Sequence, residues 1–281
     1  MKRQSGAHDM IERQTVNVLG VHVHKTTLTE ALDSIEDLIQ SGGQHFVVTL
    51  NSEMVMLAQE NAPFKEIMNS ASLVIPDAMG IVWASWILGR PLPERIAGVD
   101  MVEHLAQYAT QRHRSLFLLG GKSGVAEKTE AILRERNPGL VVVGTYAGSP
   151  DEREDDEICR TIISAKPDIL LVAYRVPQQE FWISRNIKKL KVPVVINLGG
   201  SFDFITGVTR RAPLWMRKSG LEWQYRLIQE PWRWRRMLAL PRFAFRVVSR
   251  RILDFLSPNQ SESVAIETAQ GVDQQTQGDR A

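Results

Sequence analysis

The sequence predicts an α/β fold, a Rossmann-like parallel sheet flanked by helices, with a basic helical appendage at the C-terminal end. Short apolar segments of strand length alternate with amphipathic segments of helix length through most of the chain. Glycine-containing turns follow several of the apolar segments. Such alternation is typical of a parallel sheet that has helices packed on both faces.

The first half of the chain contains three predicted strands, each followed by one or two helices. Thr27 and Glu30 form a capping-box pattern, and the apolar spacing from Leu28 to Ile39 predicts a helix that ends at Gly42-Gly43. The other elements predicted here are strands near Val16–Val23, over HFVVTLN and at Leu73–Ile75, and helices near Glu53–Ala58, Phe64–Ser70, 79–88 and 100–112.

The second half repeats the alternation with clearer boundaries. The predicted strands are SLFLL, LVVVGTY, DILLVAY and VPVVINLGG. The predicted helices cover VAEKTEAILRER, the segment from the acidic run 151–157 to about Ala165, and the segment from Pro177 to about Asn186. Because ligands of such sheets bind outside the carboxyl ends of the strands, polar residues at those ends are candidates for a site.

The segment from Thr209 to Arg251 is strongly basic and rich in tryptophan. It has twelve arginine or lysine residues and two acids, a formal charge of +10, so the rest of the chain carries −8 within the overall +2. Four of the seven tryptophans lie in this segment. Its last predicted helix has two stripes, one of Arg242, Arg246 and Arg250 and one of Phe245, Val248, Ile252 and Phe255. A basic amphipathic helix predicts an anionic partner, either a membrane surface or a nucleic acid.

These patterns divide the chain into four parts. We predict a flexible N-terminus over 1–14, an α/β core over 15–208, the basic appendage over 209–256 and a disordered tail over 257–281. Cys159 is the only cysteine, the N-terminus lacks an apolar leader, and no apolar run reaches about 18 residues. We therefore expect a cytoplasmic protein.

Polar residues and glycines follow several predicted strands. They are Thr49, Asn51, Asp77, Gly120, Gly121, Gln178, Gln179, Gly199 and Gly200. Asp77 comes directly after a buried strand, and Arg95 follows it in a loop marked by prolines. A catalytic or binding role for Asp77 is one interpretation, and a structural ion pair with Arg95 or a helix cap is the other.

Two further segments allow both a functional and a structural interpretation. FLLGGKSGVAE has the strand, glycine turn and helix that can present N–H groups to an anion, but it lacks the P-loop and G-x-G-x-x-G patterns. Gln178 and Gln179 in VPQQEFWISRN can bind a hydroxyl-rich ligand or simply begin a helix. The chain has no Asp-x-Asp metal motif, and we predict neither a metal nor a cofactor.

Taken in series, six segments resemble the WecG/TagA/CpsF glycosyltransferases, glycosyltransferase family 26. The segments are TLNSEMVMLAQENAPFKEIMNSASLVIPDAMGIVWAS, PERIAGVD, LFLLGGKSGVAE, PDILLVAYRVPQQEFWI, GGSFDFITG and RRAPLWMRKSGLEWQYRLIQEPWRWRR. The resemblance implies an inverting, metal-independent enzyme of bacterial cell-surface polysaccharide synthesis. It would move an N-acetylmannosamine-type sugar from a UDP donor to an N-acetylglucosaminyl-diphospho-undecaprenol-type lipid.

The resemblance also implies roles for individual residues. The catalytic carboxylate of the family corresponds to Asp77. The substrate-binding residues correspond to Thr49, Asn51, Arg95, Gln179, Arg226, Arg233 and Arg236. From the form of the turn itself, and not from the resemblance, we predict that N–H groups at Gly120 and Gly121 bind the nucleotide. The basic charge and the tryptophans of the appendage predict that it docks on the anionic cytoplasmic face of the inner membrane. A homo-oligomer is a further partner that the sequence allows.

Two departures from the family pattern bear on specificity. Ala78 follows the Pro-Asp pair where the family usually has glycine. Tyr174, Arg175 and Val176 precede Pro177 where the family usually has small residues, and Gln178 replaces a lysine. Since Arg175 is expected near the pocket, a different UDP-hexose donor is the alternative.

A nucleic-acid-binding module is the competing class of function. It would use the same basic segment, with bases stacked on the tryptophans. The acidic core and its polar strand ends favour the enzyme, so no nucleic-acid partner is expected.

Overall fold

A computed structural model describes residues 15–256. The predictions of a flexible N-terminus over 1–14 and a disordered tail over 257–281 concern residues outside this range. Eight strands form two sheets in the described part of the chain. They are β1 (Thr15–Val18), β2 (Val21–His24), β3 (His45–Leu50), β4 (Leu73–Pro76), β5 (Ser115–Gly120), β6 (Val141–Tyr146), β7 (Ile169–Ala173) and β8 (Val194–Asn197).

The helices alternate with the strands as predicted. In the core they are α1 (Leu28–Ser41), α2 (Ser52–Glu60), α3 (Ala62–Asn69), α4 (Met79–Ile87), α5 (Gly98–Arg112), α6 (Val125–Arg136), α7 (Asp155–Ala165, after a 3₁₀ turn at Glu152–Glu154), α8 (Gln178–Leu190) and α9 (Ser201–Ile205). After them come α10 (Leu214–Lys218), α11 (Glu222–Gln229), α12 (Trp234–Met237, after a 3₁₀ turn at Pro231–Arg233) and α13 (Ala239–Leu256). The capping box of α1 is present, with the Thr27 side chain accepting from the Glu30 N–H.

Strands β3 to β8 form one parallel sheet in the order β4-β3-β8-β7-β5-β6, which confirms the predicted fold class. The prediction of one strand over Val16–Val23 is wrong. That segment is the antiparallel hairpin β1–β2, because Leu19 and Gly20 both adopt positive φ and turn the chain. Two positive-φ residues are what a two-residue hairpin turn of this hand requires.

The two faces of the parallel sheet bury separate apolar clusters. Alternate residues of β5 show the division, since Phe117 and Leu119 lie in one cluster and Leu116 and Leu118 in the other. Helices α2, α3, α8 and α13 cover the first face, and α1, α5 and α6 cover the second. Both faces are therefore closed by helices, and the carboxyl edge of the sheet is where polar residues collect.

The C-terminal helix α13 packs against the core beside α4. Phe243 and Val247 are its buried residues. A Cβ placed on Gly80 at the start of α4 would lie 3.9 Å from the Phe243 ring, and one on Gly89 just past its end would lie 3.5 Å from Arg251. The two helices consequently run side by side in the same direction. Within residues 15–256, no helix is long and apolar enough to cross a membrane.

Candidate active site at the carboxyl edge of the sheet

Asp77 lies at the carboxyl end of β4, and its carboxylate is held by the start of α5. Its N–H donates to the Leu50 carbonyl over 2.9 Å. Its Oδ1 accepts from the N–H of Gly98, the first residue of α5, over 2.6 Å. It does not cap α4, whose cap position is Ala78 with no side-chain bond. The helix-cap interpretation is therefore wrong for α4, and the carboxylate is fixed against the start of α5 instead.

Burial raises the pKa of Asp77. The guanidinium of Arg95, the Gly98 N–H and the more distant Arg226 act in the opposite direction, and burial prevails. A carboxylate whose charge is disfavoured by its surroundings is a stronger base than an exposed one.

Arg95 does not form the ion pair with Asp77 that sequence reasoning offered as an alternative. Its Nε donates to the main-chain carbonyl of Asp77 over 2.8 Å, and its Nη2 binds Glu222 of α11 over 2.5 Å. Arg95 therefore fixes the backbone of Asp77 and links the core to the appendage. Within residues 15–256, the Asp77 carboxylate has no salt bridge.

Thr49 and Asn51, at the end of β3, are engaged within the protein. Thr49 is buried; its Oγ1 donates to the Asn197 carbonyl over 2.8 Å, and its N–H donates to Asn197 Oδ1 over 2.6 Å. Asn51 caps α2 by accepting from the Met54 N–H over 3.1 Å. Both residues shape the edge of the sheet through these bonds, and the half-buried amide of Asn51 borders it.

Gln179 is the second residue of α8, the helix that follows β7, and its side chain is buried. Its Oε1 accepts from the Gly199 N–H over 3.1 Å, and its Nε2 donates to Glu180 Oε1 over 2.6 Å. The bond to Gly199 positions the loop after β8, where a Cβ on Gly200 would lie 3.0 Å from Arg226. Gln178, in contrast, is exposed.

The Gly120–Gly121 turn after β5 is tied to the end of β7. The Gly121 N–H donates to the Ala173 carbonyl over 3.1 Å. Gly120 has φ near +102°, and a Cβ there would lie 2.8 Å from the Ala173 carbonyl group, so only glycine fits. β5 and β7 are neighbours in the sheet, but the chain leaves them in opposite directions. After β5 it continues to β6 at the edge of the sheet, and after β7 it continues to β8 in the middle. Neighbouring strands whose connections diverge in this way form a topological switch point, a common ligand site.

An arginine cluster lies in the C-terminal segment and consists of Arg226, Arg233 and Arg236. These three cations pair with two carboxylates. Arg226 and Arg233 share one carboxylate, Glu230, while Arg236 makes a bidentate pair with Glu53 at 2.7 and 2.8 Å. Burial and the charges of Arg226 and Arg236 lower the pKa of Arg233. The cluster thus holds a guanidinium whose positive charge is under-compensated, as in a site that receives an anion.

Ion pairs fasten the C-terminal segment over this edge of the sheet. Arg211 binds Asp100 at 2.5 and 2.7 Å, two residues beyond Gly98. The pairs Arg95–Glu222 and Arg236–Glu53 add two more links between core and appendage. As a result, the predicted arginines lie on the same edge as Asp77, and the positive charge of Arg226 acts on it.

Sequence reasoning missed Asn197, Glu222 and Gly98. Asn197 ends the buried strand β8, so the strand-end rule that selected Thr49 could have selected it too. Glu222 and Gly98 carry no comparable signal, because their importance comes from contacts with Arg95 and Asp77 that are distant in sequence.

Comparison with known proteins identifies the family of the chain. The sequence profile of the Glycosyl transferase WecG/TagA/CpsF family matches residues 16–255. Similar curated proteins named N-acetylglucosaminyldiphosphoundecaprenol N-acetyl-beta-D-mannosaminyltransferase occur in Bacillus spizizenii strain W23 (36% identity, 72% of this chain and 78% of the relative) and Bacillus subtilis strain 168 (32% identity, 84% and 91%). Another with the same name, in Staphylococcus aureus strain MW2, is 31% identical over 84% of this chain and 93% of its own length. The chain is a glycosyltransferase and belongs to the WecG/TagA/CpsF family.

Proposed function

We propose that this glycosyltransferase moves an N-acetylmannosamine-type sugar from a UDP donor to an N-acetylglucosaminyl-diphospho-undecaprenol-type lipid, with inversion and without a metal ion. The names of the relatives support the sugar and the acceptor. The observation that carries the mechanism is the arrangement of a fixed carboxylate, Asp77, on the same edge as an under-compensated arginine cluster.

Asp77 acts as the general base. The acceptor hydroxyl gives its proton to the Asp77 carboxylate while its oxygen attacks the anomeric carbon of the donor sugar. The bond between that carbon and the diphosphate oxygen breaks on the opposite side, and UDP leaves with the electron pair. The Gly98 N–H holds the base in place, and a positioned base contributes about 10² to 10⁴ in rate.

The leaving diphosphate is stabilised by protein cations. Arg226, Arg233 and Arg236 supply charge-assisted donors, which are roughly twice as strong as neutral ones. The Gly120–Gly121 turn lies at the switch point of the sheet, which supports placing the nucleotide there. The Gly121 N–H is donated to the Ala173 carbonyl and is therefore not a donor to the nucleotide, contrary to the expectation from the sequence. Thr49, Asn51, Arg95 and Gln179 shape the pocket and orient the sugars.

The appendage docks on the anionic cytoplasmic face of the inner membrane and receives the lipid diphosphate there. Several apolar side chains of α13 are exposed, among them Phe245, Val248, Ile252 and Phe255, and so are Arg242, Arg246 and Arg250. The neighbouring α4 adds three exposed apolar side chains, Trp83 at 40%, Trp86 at 55% and Ile87 at 41%. α4 begins two residues after Asp77 and ends at Trp86 and Ile87, so this one helix connects the proposed base to the apolar face.

The test of the proposed function is turnover in the presence of EDTA. We expect UDP release from UDP-N-acetylmannosamine when a lipid-linked N-acetylglucosaminyl diphosphate is supplied, and calorimetric binding of UDP without added metal. Turnover that stops with EDTA and returns with a divalent ion would contradict the metal-free mechanism. Turnover with another UDP-hexose only would assign a different donor.

The pH dependence of turnover reports the base. Because the pKa of Asp77 is raised and its deprotonated form is active, kcat/KM should rise with pH through a value above the ordinary aspartate pKa of about 3.9. A pH–rate profile on the acid side measures this. An acid limb at or below the ordinary value would contradict the assignment.

The apolar face of α4 and α13 predicts how vesicle binding responds to substitution. Trp86→Glu should weaken binding to vesicles that contain phosphatidylglycerol by about tenfold or more, because burying a large apolar side chain contributes roughly 1.5–3 kcal/mol. Ile163→Glu, at an exposed position on α7 away from this face, is the control and should bind as the wild type does. Co-sedimentation measures both, and equal binding by Trp86→Glu would remove α4 from the docking face.

A further inference from the structure

A hydrogen-bond network beneath the site converges on one buried acid, Glu180. Glu180 lies in the first turn of α8 and is 0% exposed. Its Oε1 accepts from Gln179 Nε2 over 2.6 Å and from Asn197 Nδ2 over 2.8 Å. Its Oε2 has no hydrogen-bond partner within residues 15–256.

The network connects two of the predicted pocket residues. Asn197 donates a hydrogen bond from Nδ2 to Glu180, and its Oδ1 accepts from the Thr49 N–H. Gln179 donates a hydrogen bond from Nε2 to Glu180, and its Oε1 accepts from the Gly199 N–H. The Oε1 atom of Glu180 therefore fixes the orientation of both amides. Through these amides it fixes the position of Thr49 at the end of β3 and of Gly199 in the loop after β8.

The surroundings of Glu180 favour the uncharged acid. No arginine, lysine or histidine of the described chain bonds to it, and both of its partners are neutral amides. An ionised carboxylate would leave a charged oxygen buried without a donor, which costs far more than a buried neutral hydroxyl. Burial raises the pKa of Glu180 and the charge of Glu53 acts in the same direction, although the two amide bonds oppose them.

We propose that Glu180 works as an uncharged carboxylic acid that positions Gln179 and Asn197, and through Asn197 also Thr49, for binding of the donor and acceptor sugars. This proposal rests on the proposed function, since it assigns Glu180 to the pocket of that reaction. Glu180 touches no substrate. It is a positioning residue whose effect reaches the chemistry through the two amides.

Three variants separate this role from a merely structural one. Glu180→Gln keeps the accepting Oε1 and remains uncharged, so turnover should stay within about twofold of wild type. Glu180→Asp withdraws the oxygen by one methylene, and Glu180→Leu removes it. For both we expect kcat/KM per folded molecule to fall by about 100-fold, the loss that a displacement of about 1 Å can cause, with UDP binding retained.

The protonation state has its own readout, independent of turnover. Infrared difference spectra of wild type minus Glu180→Gln at pH 7 should show the carbonyl band of a protonated carboxyl group. The control is Glu36→Gln, which alters a buried glutamate of α1 that pairs with Arg114, and this variant should lose neither such a band nor turnover.

The outcomes distinguish this inference from the proposed function. An ionised Glu180 in the spectrum, a large loss of turnover in Glu180→Gln, or full turnover in both Glu180→Asp and Glu180→Leu would overturn the positioning role. Absence of sugar transfer by the wild type would overturn the proposed function instead, and the infrared result would still decide the charge of Glu180. If Glu180→Leu does not fold, Glu180→Asp and the spectrum carry the decision.

Discussion

Asp77→Asn should lose turnover by about 10² to 10⁴ while UDP binding stays unchanged. The asparagine keeps an oxygen that can accept from the Gly98 N–H, so the end of β4 stays in place. What it cannot do is take the proton of the acceptor hydroxyl, and a positioned base contributes a factor of this size. Turnover with the lipid acceptor and calorimetric titration with UDP measure the two quantities separately.

Protein stability should not fall in this variant. The pKa of Asp77 is raised by burial, so the folded state holds its proton more tightly than the unfolded state does. The stability that this group contributes is then fully present below the unfolded pKa and is lost as pH rises through the folded pKa. At neutral pH the uncharged asparagine therefore removes a penalty, and thermal melting at pH 7 should occur at the same temperature as in wild type or higher.

The matched control is Asp168→Asn at the opposite, amino-terminal edge of the sheet. Asp168 also accepts a backbone N–H, that of Ser115, over 2.8 Å. It shares the residue type and the local bond of Asp77 but lies away from the carboxyl edge. Asp168→Asn should keep its turnover per folded molecule. Equal losses of UDP binding and turnover in Asp77→Asn would instead make Asp77 a binding residue.

The fold class could be predicted from the sequence because it depends on local pattern. The alternation of apolar strands such as SLFLL with amphipathic helices is readable over a few residues, and the structure has the parallel sheet at those positions. The hairpin at Val16–Val23 was missed because two successive positive-φ residues, one of them Leu19, make the turn. A leucine in that conformation gives no sequence signal.

The candidate site was predictable only where it depends on strand ends. Asp77 and Thr49 follow buried strands, and a parallel sheet brings such ends to one edge. The partners of Arg95 were not predictable, since Glu222 lies 127 residues away and the ion pair forms through tertiary packing. The protonation state that we propose for Glu180 was equally unpredictable, because it depends on which side chains the fold places next to that carboxyl group.

Arg233→Met should lower turnover by about 10² to 10³ without lowering stability. Burial and the charges of Arg226 and Arg236 disfavour the charged form of the Arg233 side chain, and together they lower its pKa. Its removal leaves Glu230 with Arg226 as a partner at 3.1 Å, so no carboxylate is orphaned. The charge is useful only when an anion arrives, and loss of one preorganised donor to a developing charge costs a factor of this size.

Thermal melting with and without ligand separates these two effects. A ligand at 100 times its Kd stabilises a protein by about 2.7 kcal/mol, so UDP or pyrophosphate should raise the melting temperature of wild type. The rise should be smaller in Arg233→Met, although its melting temperature without ligand is equal to or above that of wild type. Arg246→Gln, which removes the same charge from an exposed position on α13, should leave the UDP response unchanged. If Arg233→Met instead melts earlier and keeps its turnover, the arginine cluster joins the appendage to the core and does not bind the leaving diphosphate.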